Sequence, residues 1–296
     1  MTKDAAALAA ALGRALGRRV ADAPAQEVHG GCINRCWRWE TSAGPVFVKE
    51  APANRLAMLE AERDGLLELR GAAAVRVPEP LAWGSSDQAA FLVLEWIDFG
   101  PVTPPAEERL GEQLAFQHRC QADRYGLGHD NTIGSTPQPN AWADDWVRFL
   151  RERRLGFQLE LAARNGHGGR LQERGHRLLE VIDVFFGTYR PAPSLLHGDL
   201  WGGNRGVDSS GQPVIYDPAV YYGDREADIA MTRLFGGFGP RFHSAYVAAW
   251  PLDQAAGTRR DLYNLYHVLN HLNRFGGSYR AQAESMIDRL LAAAGQ

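Results

Sequence analysis

Apolar positions change period along the chain, and the change divides it. Over Ala5–Leu16 they recur at helical spacing and predict an opening helix. Asp4 ahead of it and Gly13-Arg14 inside it set it apart from a secretory leader. From Val28 to Glu95 the pattern is one of short strands with a single helix between them. Cys36–Glu40 and Pro45–Lys49 flank a turn at Thr41–Gly44 and predict a hairpin. Leu56, Leu59, Gly65, Leu66 and Leu69 fall at helical spacing over Asn54–Arg70, with Gly71 as the expected C-cap. Pro78 and Pro80 bound an extended piece ending near Trp83, and Ala90–Glu95 is a short apolar run of strand type. Beyond Gly100-Pro101 and Pro104-Pro105 helical spacing takes over. Glu107–Gln121, Ala143–Ala163, Leu171–Tyr189, Ala227–Phe235 and Asp253–Phe275 predict helices, broken by strand-like Ser194–Leu196 and Pro213–Tyr216. The expectation is an α+β, bilobal fold: a small β-rich N-lobe over 1–97, a proline-marked hinge and a larger, mainly helical C-lobe over 98–296. Small-molecule sites favour the cleft of such a pair.

Composition narrows the function. A net charge of −3 argues against a nucleic-acid partner, which calls for excess Lys and Arg. No apolar run approaches the ~18–20 residues that span a bilayer. Three cysteines are too few for a disulfide framework, and Cys32 and Cys36 lack the spacing of a redox pair or half a zinc site. A cytoplasmic, monomeric protein without a membrane partner is expected. Of the 32 Lys and Arg residues only two are Lys, Lys3 and Lys49. A chain that avoids lysine yet sets one in the strand-like Val46-Phe47-Val48-Lys49 needs a compact ammonium there, where a guanidinium would not serve.

The chemistry concentrates in Leu195-Leu196-His197-Gly198-Asp199-Leu200-Trp201-Gly202-Gly203-Asn204 and in Val214-Ile215-Tyr216-Asp217-Pro218. Each is an apolar strand that turns sharply into polar residues. Phosphoryl transfer from a nucleotide uses such a set: one carboxylate takes the proton of the attacking hydroxyl, while an amide oxygen and a second carboxylate hold Mg²⁺. A single turn aspartate capping local backbone looks the same; the full H-G-D-x4-N…D set does not.

That set resembles the aminoglycoside-phosphotransferase-like kinases, which share the protein-kinase fold. The wording H-G-D-L-W-G-G-N with I-Y-D-P-A-V-Y-Y-G-D-R-E-A-D-I-A-M resembles, more narrowly, the fructosamine/ketosamine-3-kinase family. Gly30–Asn34, Phe47-Val48-Lys49, Gly126–Asn140, Trp142–Trp146, Arg154–Leu159 and Leu265–Gly277 extend the likeness almost end to end. The resemblance implies ATP and Mg²⁺ as cofactors, with phosphate going to the sugar O3 of a fructosamine or ribulosamine adduct of an amine or protein lysine. The phosphorylated adduct breaks down and frees the amine, a deglycation repair. An aminoglycoside- or choline-type acceptor and a non-catalytic nucleotide-binding regulator are the rival readings.

By the same resemblance Asp199 is the base, and Asn204 and Asp217 hold Mg²⁺. Lys49 reaches the phosphates, positioned by Glu62; Glu60 lies about 200° away round the same helix, so only one of the two faces the cleft. Gly30, Gly31, Cys32, Ile33 and Asn34 form the phosphate loop, although an ordinary hairpin reads alike. Leu94, Glu95 and Ile97 form the adenine hinge. Trp201 stacks on the sugar, or packs as any buried Trp does. Asp130, Asn131, Gln138 and Asn140 lie in a turn-rich segment expected to shape the acceptor pocket. His197 and Asp228 are structural supports. Cys32, a thiol beside phosphate-binding amides, is a redox candidate whose oxidation, through a disulfide to a second chain, would inhibit ATP binding; a small packed residue is the alternative. His118, His267 and His271 sit among apolar residues and read as core or surface side chains, and Arg148–Arg154 as a solvated helix face.

Overall fold

The apolar run Ala90–Leu94, buried along its whole length, anchors the first sheet. The computed structural model describes residues 3–24, 26–28 and 34–296, and the chain divides into two units, Met1–Ala106 with Gly203–Pro218, and Glu107–Gly202 with Ala219–Gln296. The first unit runs further than the 1–97 lobe drawn from sequence and takes in a later segment. That segment joins it through backbone: Ile215 N donates to Arg76 O at 3.0 Å and Gly100 N to Val207 O at 2.8 Å.

The first unit opens with α1 (Lys3–Leu16) and the strands β1 (Gln26–Glu27), β2 (Arg35–Thr41) and β3 (Gly44–Pro52). After α2 (Leu56–Ala72) come β4 (Pro80–Ser85) and β5 (Ala89–Glu95). Among the described residues these strands form an antiparallel sheet of order β1-β2-β3-β5-β4. Leu8 and Leu12 of α1 pack with Trp39, Val46, Val48, Phe91 and Val93 on one face. The α2 helix passes through Gly71, the expected cap, and stops one residue later; Ala73 takes the left-handed conformation at φ 52° and donates its N–H to Arg70 O. A helix interior tolerates glycine, so Gly71 alone did not mark the end.

The second unit begins with α3 (Pro104–Gln117, whose first residues belong to the first unit), β6 (Asn131–Ile133) and β7 (Thr136–Gln138). α4 (Trp146–Phe149) starts on an Asp145 cap, whose Oδ1 accepts from Arg148 N at 2.6 Å. A π-helical turn, Leu150–Gly156, joins it to α5 (Phe157–Arg164). This turn carries Arg154 inward, correcting the solvated face expected of Arg148–Arg154. Arg154 is fully buried, lies over the Tyr221 ring at 4.0 Å and donates to Pro139 O and Asn140 Oδ1, each at 2.7 Å. Next come α6 (Arg170–Val181), closed by a 3-10 turn over Ile182–Phe185, and β8 (Ser194–Leu196). The chain then makes its hairpin in the first unit, β9 (Arg205–Val207) with β10 (Pro213–Ile215), and returns for β11 (Tyr221–Gly223), which pairs with β8.

The helices α7 (Glu226–Leu234), α8 (Pro240–Ala249), α9 (Ala256–Phe275) and α10 (Tyr279–Ala293) complete it. The sequence pattern names neither α8 nor α10. α8 buries just Phe242 and Tyr246, too few positions to show a period. Leu171 and Leu178 of α6, Leu265 and Leu269 of α9 and Ile287 and Leu290 of α10 share one core. Arg259 of α9 is buried and donates to both carboxylate oxygens of Glu226 at 2.8 and 3.0 Å, tying α9 to α7. Beside them Asp224, fully buried, accepts from Tyr263 Oη at 2.5 Å, Tyr189 Oη at 3.1 Å and Glu226 N at 3.0 Å. Burial and then the nearby Glu226 push its carboxyl up to about 7. Among the described residues no helix is long and apolar enough to cross a membrane.

Candidate active site

In the first unit the period of β3 turns Lys49 to the face opposite Val46 and Val48, where it is 5% exposed. An unpaired ammonium is not tolerated at such depth. Glu62 of α2 meets it, Oε1 at 2.6 Å from Nζ, and Asp217 Oδ1 forms a second ion pair. Of the two acids weighed on α2, Glu62 is the one that reaches Lys49. Burial by itself lowers the Lys49 pKa, but Asp217 and Glu62 outweigh it and hold the ammonium well above its ordinary value. Burial raises the Glu62 carboxyl, with Lys49 opposing. Cys36 faces Lys49 across the β2–β3 register; burial pushes its thiol up to about 11, the mark of an inert thiol.

Asp217 ends the strand-to-turn run with φ 57°, a left-handed backbone that aspartate tolerates better than most residues. Its Oδ1 is given to Lys49, while 37% of the side chain stays exposed. Tyr216 N donates to Asn204 O at 3.0 Å, and Asn204 Nδ2 to Asp217 O at 3.4 Å, so the two donors are tied to one another. A carboxylate and a carboxamide are hard oxygen ligands that suit Mg²⁺. Gly30, Gly31, Cys32 and Ile33 lie outside the described residues. Asn34 follows them with a buried side-chain oxygen that lacks a hydrogen-bond partner. At the end of β5, Leu94 and Ile97 are buried, and Glu95 accepts from Arg76 Nη2 at 2.9 Å and Glu79 N at 3.1 Å.

In the second unit the H-G-D turn hangs on one buried acid. Asp228, in the first turn of α7, accepts from His197 N at 2.7 Å, Gly198 N at 2.9 Å and His118 Nε2 at 3.1 Å. Burial opposes its charge, but the His118 hydrogen bond and the other donors hold its pKa below the ordinary carboxylate value. Burial lowers the His118 pKa, so that ring is neutral, carries its proton on Nε2 and accepts at Nδ1 from Tyr246 Oη at 2.8 Å. Gly198 sits at φ 83°, and a Cβ there would lie 2.0 Å from Ala219 O, so no other residue fits. His197 is fully buried; its O accepts from Ala219 N at 2.8 Å and its Nδ1 from Asp199 N at 3.3 Å. Asp199 is thereby aimed through its backbone.

The four residues of the turn-rich segment come together as one network. Asn131 Nδ2 donates to Val220 O at 2.7 Å; Gln138 Nε2 and Asn140 Nδ2 both donate to Asn131 Oδ1 at 2.8 Å. Asp130 Oδ1 accepts from Asn140 N at 2.7 Å, and Tyr266 Oη donates to Gln138 Oε1 at 2.7 Å. Through Asn131 and through Gln138 Nε2, which also donates to Ala219 O at 3.0 Å, the network braces the Ala219-Val220 segment just ahead of β11. Trp201 is half-buried, edge-on to Phe235 at 6.4 Å, and Phe235 in turn lies 4.7 Å from the His271 ring. The sequence reading took His118 and His267 as core or surface side chains; both are buried, and each also makes a polar approach that the sequence did not show. His118 braces Asp228, and His267 Nδ1 stands 3.9 Å from Asp199 Oδ1. Both sit on apolar helix faces with no local motif, so only a long-range contact reveals them.

The sequence model of one family, fructosamine kinase, matches residues 5–293. The chain belongs to the fructosamine kinase family. A probable ketoamine kinase of Synechocystis sp. is 42% identical over 267 residues, covering 90% of each chain. The chloroplastic protein-ribulosamine 3-kinase of Arabidopsis thaliana is 43% identical, over 89% of this chain and 81% of that one. The crystal structure of a candidate fructosamine-3-kinase from Thermobifida fusca superposes with a TM-score of 0.86 at 33% identity, covering 96% of this chain and 98% of that one. An aminoglycoside phosphotransferase in complex with ADP and hygromycin B shares the fold, with a TM-score of 0.68 at 14% identity over 98% and 99% of the two chains. This member of the family is a phosphotransferase of protein-kinase-like fold, with an N-terminal antiparallel sheet and a helical C-terminal part.

Proposed function

We propose that the chain transfers the γ-phosphoryl group of ATP to the O3 hydroxyl of a ketosamine, an amine or protein lysine carrying a fructose- or ribulose-derived adduct, and so starts its deglycation. The observation that carries this reading is the Asp199 turn, whose preceding amides end on the buried carboxylate of Asp228 in a family with relatives named for ketoamine and ribulosamine substrates.

Asp199 accepts the proton as the sugar hydroxyl attacks phosphorus, and Lys49, held by Glu62, meets the phosphates. Asn204 and Asp217 would hold Mg²⁺, which would supply positive charge to the phosphate oxygens. Leu94, Glu95 and Ile97 present backbone to the adenine. Gly30, Gly31, Cys32, Ile33 and Asn34 are the candidates for phosphate contact, and Cys32 is the point where oxidation, through a disulfide between two chains, would stop ATP binding. Trp201 lies against the sugar, and Asp130, Asn131, Gln138 and Asn140 act by fixing the wall behind it. The first 97 residues serve mainly the nucleotide and residues 98–296 the acceptor, in a cytoplasmic protein.

Phosphorus NMR with Mg-ATP and a panel of fructosyl-lysine, ribulosyl-lysine, kanamycin and choline tests the proposal, with Asp199→Asn as control. A new sugar-phosphate resonance with a ketosamine, absent in the variant, is expected. Signal with kanamycin or choline alone would discard the ketosamine.

A further inference from the structure

One buried polar atom of the second unit lies beside the proposed base. His267, on α9, is 4% exposed, and its Nδ1 has no hydrogen-bond partner. That atom stands 3.9 Å from Asp199 Oδ1. The separation is too long for an N–H···O bond, and it is the gap that a single oxygen fills. An oxygen about 2.8 Å from each atom sees the two at about 90°. A buried polar atom left unpaired costs about 1–3 kcal/mol, so one beside the base is explained by a partner that arrives with the substrate.

We propose that His267 is a catalytic residue that grips the attacking hydroxyl: its Nδ1–H donates to the acceptor's reacting oxygen while that hydroxyl donates its proton to Asp199. The inference rests on the phosphoryl-transfer reading above. A hydroxyl oxygen has four directions, its carbon, its proton and two lone pairs. With the proton on Asp199 and one lone pair held by His267, a single lone pair is left for phosphorus, and the two side chains set the line of attack. A loose transition state asks little of the nucleophile's basicity, so orientation outweighs the electron density lost to the extra hydrogen bond. As the new O–P bond forms, the bond from phosphorus to the ADP oxygen breaks, the hydroxyl proton passes to Asp199, and His267 keeps its own. Burial and the neighbouring His271 lower the His267 pKa to about 3, so the ring is neutral and has one N–H to give. α9 holds it in place, with Leu265, Val268 and Leu269 packed into the core on either side.

Two variants test the idea. His267→Leu removes the donor at similar bulk, and His267→Asn returns an amide N–H near the position of Nδ1. Both are assayed with whichever alcohol the wild type phosphorylates, so that loss of the ketosamine reading and loss of this inference are read separately. His267→Leu should lower kcat about 10- to 100-fold and raise the acceptor KM, with the ATP KM unchanged, and His267→Asn should recover most of the loss. Thermal melts of both variants separate this from a packing defect, which Asn would not repair. The deciding comparison is an acceptor lacking the reacting hydroxyl, used as a competitive inhibitor; it should bind wild type and His267→Leu equally. An unchanged kcat and acceptor KM in His267→Leu would overturn the proposal. So would an equal loss of affinity for the deoxy compound, which would put His267 on another group of the sugar.

Discussion

The two halves of the machinery are held by opposite means. In the first unit the proposed site side chains hold each other: Lys49, Glu62 and Asp217 form a chain of ion pairs, one charge against two. In the second the proposed base, Asp199, is aimed through its backbone, because Asp228 takes the amides of His197 and Gly198. The difference teaches where each half is vulnerable. If the proposed roles hold, ion pairs among those groups couple binding to geometry, so damage there reaches the nucleotide. A brace that acts on the backbone of the H-G-D turn passes damage on as lost alignment of the proposed base.

Substitutions can sharpen that contrast. Asp199→Asn should have the largest effect, a fall in kcat of about 10²–10⁴ with ATP affinity kept, read by coupled ADP release and nucleotide titration. Lys49→Arg comes next. The guanidinium keeps the charge but not the shape, and kcat/KM for ATP should fall about 100-fold while the fold survives; an Arg variant with normal ATP kinetics would show that charge alone suffices. Asp228→Asn keeps the bulk but removes the charge and turns one acceptor into a donor facing an amide. A loss of about 3 kcal/mol in denaturant unfolding is expected, with a fall in kcat smaller than for Asp199→Asn and an unchanged KM for ATP. If ATP KM rose instead, the division between the halves would be broken.

The smallest effect is one of pH. Asp224 titrates near 7 in the fold and about 4 in an unfolded chain. Between those values the folded state keeps a proton that the unfolded chain has released, so this group's contribution falls as pH rises from about 4 to 7 and is level outside that window. Asp224→Asn should flatten the slope of melting temperature against pH over that range.

How much of this was legible in the sequence follows from how local each feature is. The helical period gave α2, and a turn between apolar runs and a short apolar run gave β2, β3 and β5, each to within a few residues, because these signals are local. The H-G-D turn and Asp217 stood out because polar residues interrupt short apolar strands. Arg154 was misjudged because nothing near it announces the Tyr221 ring that receives it from another part of the chain. The His267–Asp199 approach is equally non-local, made by packing α9 against the second unit's core.

The burial of Lys49 has a consequence for the protein's own chemical lifetime. The free-base form of an exposed amine attacks the carbonyl carbon of a reducing sugar. The chain carries two lysines; one of them, Lys49, is 5% exposed and kept as an ammonium by two carboxylates, so it is shielded both sterically and by protonation. An enzyme proposed to act on sugar-modified lysines thus offers almost no side-chain amine to the same damage. The one proposed to meet the phosphates is sealed where a sugar aldehyde has little access and no free lone pair to react with.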